Sequence, residues 1–320
     1  MKKLWIILML ILATVLGGCT QQPQNSASVE AGTAYTAMDE AGRTLSFESK
    51  PQRIVSLTYG TDEILTDIVG CKRIVSYSRW AGDGEISFIT KEQAFTVGCK
   101  VHDNMEAILA LHPDLVVAST ATNADLVGGL ESLGVKVYVA RSPHNYQEMR
   151  EKILHLAVAV GEAAKGKEIV RDMDERLNVL EQKLSQLPAS QRRVAVAFNF
   201  TSAMGRRGDL LDSMLTMAHV INGAAVAAPS TGEHGQAAIS KELVVKINPD
   251  IFLLPTWNYD NKQDVQGYAY QVMNDPAYRN VKAVQNKQLK FVSDKYRYVA
   301  SHHIVEAIEK IARTVYPEIF

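Results

Sequence analysis

The chain has 320 residues, of which 47% are hydrophobic and 22% charged, and its formal net charge is −1. That length supports two domains with a sizeable core in each. The composition excludes a disordered chain. With no excess of base it also excludes a nucleic-acid binder.

The N-terminus reads as an export signal. Met1-Lys2-Lys3 is a short basic start, and Leu4 to Leu16 is an apolar run of 13 residues interrupted only by Thr14. This is the shape of a secretory signal and is too short for a comfortable membrane span. The run ends in Leu16-Gly17-Gly18-Cys19, which looks like a bacterial lipobox. Residues 1–18 are therefore expected to be removed. Cys19 is the expected lipidation site, anchoring the chain at the outer face of the cytoplasmic membrane. Residues 19–34 are rich in Gln, Ser, Asn and Ala without apolar period, the composition of a flexible tether.

The first strand is expected at Ile54, Val55 and Leu57. It runs into Tyr59-Gly60-Thr61 and then Asp62 and Glu63 at the head of a helix. Thr61 suits a helix cap, and acids in a first turn suit the helix dipole. A second strand follows at 73–77. Cys71 and Cys99 each stand in a Val-Gly-Cys-Lys quartet, either to pair in an oxidising compartment or to remain thiols. At 105–119 an amphipathic helix passes through Pro113-Asp114 into a β-rich run. From 162 to 187 apolar residues recur at Ile169, Met173, Leu177, Leu180, Leu184 and Leu187, the period of one long helix, which Pro188 ends.

The second half echoes the first. Arg193-Val-Ala-Val-Ala-Phe198 matches Arg53-Ile-Val-Ser-Leu57 at an offset of 140 residues, and Pro249-Asp250 matches Pro113-Asp114 at 136. The apolar runs after each Pro-Asp suit buried parallel strands. The chain therefore reads as α/β: an N-terminal lobe at 35–161, an interlobe helix at 162–188 and a C-terminal lobe at 189–320. Each lobe has a mostly parallel, Rossmann-like sheet. One stiff helix between lobes predicts a cleft that opens only a little.

Parallel sheets bind ligands at the carboxyl ends of their strands. The residues just beyond those ends are the candidate ligand contacts: Tyr59, Trp80 and His102 in the first lobe, and Arg206, Arg207, Trp257, Tyr259 and Arg297 in the second. The aromatics can pack on a ring or catechol, and the arginines can fork onto carboxylates or an anionic chelate. Tyr59, Tyr77, His102 and His302 could each offer an axial ligand to a haem iron. His302-His303 opens the C-terminal helix, whose apolar face is Ile304, Ile308 and Ile311, and as a bare-metal site it lacks further ligands. No nucleophile elbow, HExxH or phosphate loop is present, so no catalysis is expected.

Together, stretches such as "DEAGRTLSFESKPQRIVSLTYGTDEIL", "NMEAILALHPDLVVAS", "ISKELVVKINPDIFLLPTW", "NDPAYRNVKAVQNKQLKFV" and "HHIVEAIEKIARTVYPEIF" carry a likeness. The chain resembles the ABC-transporter substrate-binding proteins of iron-siderophore, haem and vitamin B12 importers. The resemblance implies a monomeric lipoprotein without intrinsic cofactor. It would capture a metal chelate (ferric siderophore, haem or cobalamin) and deliver it to a permease dimer with its ATPase subunits. It also implies one surface acid per lobe that docks on the permease. The match in the first lobe is Glu63. In the second it is Asp212, with Asp209 the fallback as a helix cap. A surface sensor or adhesin on the same fold, or a non-catalytic metal-ion binder, is the competing reading.

Overall fold

The computed structural model describes residues 34–227, 239–258 and 264–320. The leader, Cys19 and the tether lie outside them, as does Tyr259. The first lobe opens with an antiparallel hairpin, β1 (Tyr35–Met38) and β2 (Thr44–Phe47). Then come β3 (Ile54–Ser56), α1 (Tyr59–Val69), β4 (Ile74–Ser78), α2 (Lys91–Val97), β5 (Lys100–Val101) and α3 (Met105–Leu109). They are followed by β6 (Leu115–Ser119), α4 (Ala124–Ser132), β7 (Val137–Ala140) and α5 (Tyr146–Ala159). The long α6 (Ala163–Leu184) leads to the second lobe. That lobe contains β8 (Val194–Phe198), β9 (Ala203–Met204), α7 (Leu210–Met217), β10 (Ile221–Asn222), α8 (Gly223–Ala227), α9 (Lys241–Ile247) and β11 (Ile251–Leu254). It ends with α10 (Val265–Asn274), α11 (Lys282–Gln285), β12 (Leu289–Phe291), α12 (Asp294–Arg297) and α13 (Ile304–Val315).

The two sheets repeat one plan. The first runs β5-β4-β3-β6-β7, all parallel, and the second β10-β8-β11-β12, also parallel, with β9 antiparallel on β8. Thus β4-β3-β6-β7 corresponds to β10-β8-β11-β12. The repeated Pro-Asp has a physical role in both lobes. His112 and Asn248, just before each proline, adopt the left-handed conformation at φ 47° and 48°; Asn248 caps α9, and His112 closes the turn that follows α3. The aspartate then closes the start of the first strand of each lobe's parallel sheet. Asp114 accepts from Arg53 N at 2.9 Å, and Asp250 accepts from Val194 N at 2.8 Å.

Among the described residues three buried clusters hold the fold. One lies on the outer face of each sheet, around Val55 and Val116 in the first lobe and Phe252 and Val244 in the second. The third crosses the molecule: Ile54, Ile64 and Met149 of the first lobe are continuous with Met173 of α6 and with Leu211 and Ile308 of the second. The α6 stripe read from periodicity is the stripe buried here, at Ile169, Met173, Leu180 and Leu184. Gly166 lets α6 press onto α5, because a Cβ there would lie 2.4 Å from Ala157 Cβ.

Candidate ligand cleft between the lobes

A cleft of about 360 Å³ opens between the lobes. From the first lobe it is lined by Thr58 and Tyr59 beyond β3, Ser119 and Ala121 at the end of β6, and Ser142 and Pro143 beyond β7. The facing wall is Met204, Arg206, Asp209, Arg297 and Tyr298. Carboxyl ends of parallel strands thus form one wall, where a strand's departing chain leaves backbone and side chains free to meet a ligand.

The corner after β3 differs in detail from the sequence reading. Thr58, not Thr61, caps α1: its Oγ1 accepts from Thr61 N, and Thr61 Oγ1 accepts in return from Thr58 N, both at 3.3 Å. The helix therefore begins at Tyr59. Burial, followed by the charge of Glu63, pushes the Tyr59 phenol well up, so it stays protonated and donates to Tyr298 O at 2.8 Å across the cleft. Gly60 is required by close approach, for a Cβ there would meet Ala300 O at 2.5 Å.

Glu63 is not a surface acid. It is 2% exposed, and its carboxylate accepts from Phe88 N at 3.0 Å and from Ser301 Oγ at 2.5 Å. Its place on the face of α1 that meets the second lobe makes it an interlobe tie, and burial raises its pKa. Asp62 is fully buried too, accepting from Ser78 N at 3.1 Å and Ser78 Oγ at 2.5 Å. Desolvation pushes it up to about 7. Asp212 is half-buried, its carboxylate engaged by Gly208 N at 2.8 Å and Asn222 Nδ2 at 3.0 Å. Asp209 caps α7, accepting from Asp212 N at 2.8 Å. Neither acid of the expected docking pair is a free surface group: Glu63 is tied across to Ser301 of the second lobe, and Asp212 is drawn into a hydrogen-bonded corner of its own lobe.

The other candidates separate into groups. Tyr59 and Arg206 line the cleft. Arg297 also lines it, but its guanidinium pairs with Asp294 at 2.9 Å and reaches Phe198 O, and it is only 2% exposed. Trp80 and Trp257 meet edge to face with centroids 5.1 Å apart, one from each lobe. Trp257 Nε1 donates to Asp83 at 2.9 Å, and nearby Thr256 Oγ1 donates to Glu85 at 2.9 Å. These contacts strap the loop between β4 and α2 to the second lobe, outside the cleft lining. His102 is exposed and contacts Arg79, while Arg207 reaches Ala225 O in a separate depression beside Asp212.

Tyr77 is wholly buried, bonded to Thr66 Oγ1 at 2.7 Å, and so faces no ligand. His302 lies 3.0 Å from Asp67, and His303 stacks on Phe88, burial holding its pKa down at about 3. Cys71 and Cys99 are not joined to each other in a disulfide. Among the described residues no cluster of three His, Cys, Asp or Glu is placed to hold a metal ion.

Sequence reasoning missed Lys152. It lines the cleft from α5 and is 3% exposed. The signal was present: Lys152 falls in register with Met149, Ile153 and Leu156, the buried stripe of its helix.

A family model described as periplasmic binding protein matches residues 54–296. The chain is 26% identical over 309 residues, spanning 92% of each chain, to the "Probable siderophore-binding lipoprotein YfiY" of Bacillus subtilis. It is 22% identical over 303 residues to the Fe(3+)-citrate-binding protein YfmC of the same organism, covering 90% of this chain and 88% of the other. Among solved structures, the periplasmic heme-binding protein RhuT of Roseiflexus sp. RS-1 aligns with a TM-score of 0.69 at 18% identity, over 84% of this chain and 99% of that one. That likeness is one of fold.

Proposed function

The chain belongs to the periplasmic binding protein family, and on that premise we propose that it is the extracytoplasmic receptor of an ABC importer for an iron chelate or corrinoid. The observation that carries the reading is the cleft itself, set between two lobes of matched plan at the carboxyl ends of their strands. The names of its relatives support a metal-chelate cargo. Cys19 would hold the mature chain to the membrane by a lipid, with the described lobes outside.

The importer reading needs a permease-facing acid on each lobe, and the internal repeat supplies a matched pair. Glu106 and Glu242 are both exposed, and both stand second in the helix before a Pro-Asp strand, α3 and α9. Their helices are capped by Asn104 and Ser240. An acid in a capped first turn is held in one place at little cost, and it steers a basic partner more than it binds it. Glu106 and Glu242 are the docking acids of this reading.

The test is a binding panel. Mature protein is titrated with ferric citrate, a ferric catecholate siderophore, ferrichrome, haem and cobalamin, reading tryptophan emission and thermal shift. Trp80 and Trp257 sit on the interlobe rim, so the expected result is quenching together with a raised melting temperature for one ligand class. No response from any of the panel would overturn the receptor reading.

A further inference from the structure

Lys152 is a buried ammonium without a counter-charge in contact. Its Nζ donates to one protein acceptor, Ala300 O, at 2.7 Å, and among the described residues no carboxylate lies within ion-pair distance of it. Glu63 is close enough to act on it through space, but both Glu63 oxygens are already engaged by Ser301, Phe88 N and Ser87. An ammonium carries three donors, so two N–H groups remain, and the side chain borders the cleft. Burying such a charge is expensive unless something of opposite sign meets it. Burial draws its pKa down only to about 8, so at neutral pH the group is still mainly protonated.

The other cations that line the cleft among the described residues are compensated. Arg297 has Asp294 at 2.9 Å, and Arg206 lies beside the Asp209 carboxylate, which bonds its backbone N–H at 3.1 Å. The other hydrogen-bonding side chains that line the first-lobe wall, Thr58, Tyr59, Ser119 and Ser142, are neutral.

The geometry points to Lys152 as a ligand-contacting residue that selects, within the receptor function proposed above, a chelate presenting a carboxylate to the junction of the lobes. Its bond to Ala300 O holds it there, since α5 belongs to the first lobe and Ala300 to the second. A carboxylate arriving at the first-lobe wall meets the two remaining donors without displacing that bond. A neutral chelate leaves the charge unmet.

The test compares two ferric chelates of opposite character, ferric dicitrate, which is anionic, and ferrichrome, which is neutral. Wild-type protein is expected to bind ferric dicitrate at least tenfold more tightly than ferrichrome. Lys152→Met, which keeps the length and removes the charge, is expected to lose at least tenfold in affinity for ferric dicitrate while its affinity for ferrichrome stays within threefold. Lys152→Arg should restore the preference. A merely structural lysine would alter both affinities together or neither, and either result overturns the inference.

The wild-type preference can be measured even if Lys152→Met does not fold, and a preference for ferrichrome is also fatal. Binding of cobalamin alone would overturn the role of Lys152 while leaving the receptor reading intact. Failure to bind any metal chelate would overturn both.

Discussion

Asp62 shows how burial alone can reassign a residue. From spacing it was an acid in a first helical turn. In the fold it is fully buried, with Ser78 donating to it from backbone and hydroxyl. Desolvation outweighs those donors and lifts its pKa to about 7. A carboxyl group raised in the folded state stabilises the protein below the unfolded pKa near 3.8, and that contribution is lost as pH rises through about 7. Asp62→Asn removes the titration. Denaturant unfolding at pH 5 and pH 8 should therefore show the wild type losing about 2–3 kcal/mol more than the variant over that interval. Parallel pH dependences would mean that the ionised carboxylate is tolerated. Glu63, its neighbour, was singled out only through the family resemblance, and as a surface acid rather than an interlobe tie, because its partner Ser301 lies 238 residues away. Lys152 was legible only in hindsight, as a charge in an apolar stripe.

At the scale of elements the sequence was a better guide. The periodic stripe of α6, the strands before and after each Pro-Asp, and the helix opened by His302-His303 all stand close to where their patterns placed them. Strong periodicity survives in the fold because it reports which face is buried. The hairpin β1–β2 was not anticipated, since a short alternating pair earns its burial only by packing on the first lobe, where Glu40 N donates to Val139 O at 3.0 Å. Gly166 marks the opposite case, one residue that decides how two helices meet. Gly166→Val would drive a side chain into Ala157 and is expected to cost about 2–3 kcal/mol of stability. Chemical denaturation measures this, and an unchanged midpoint would show that α5 and α6 part without penalty.

At the scale of the whole molecule the lobes are coupled in three ways. They share one continuous apolar core through α6. Segment 298–301 is tied to α1 and α5 by Tyr59, Glu63 and Lys152. The loop carrying Asp83 and Glu85 is strapped to Thr256 and Trp257. Under the proposed importer function, such coupling suits a receptor whose partner contacts both lobes at once. Replacing Glu106 and Glu242 together with alanine is expected to lower chelate uptake by cells at least tenfold while chelate binding by the purified protein stays unchanged, each single change doing less. Unchanged uptake in the double variant would reject the pair as docking acids.

By itself the sequence determined the α/β class, the repeated plan of the lobes and the long helix between them, because periodicity, proline position and internal offset are local properties that burial must respect. Only the tertiary structure decided which acids are exposed, which aromatics meet across the lobes and which cation is left facing the cleft. Those depend on desolvation and on contacts between segments more than a hundred residues apart, which no local pattern records.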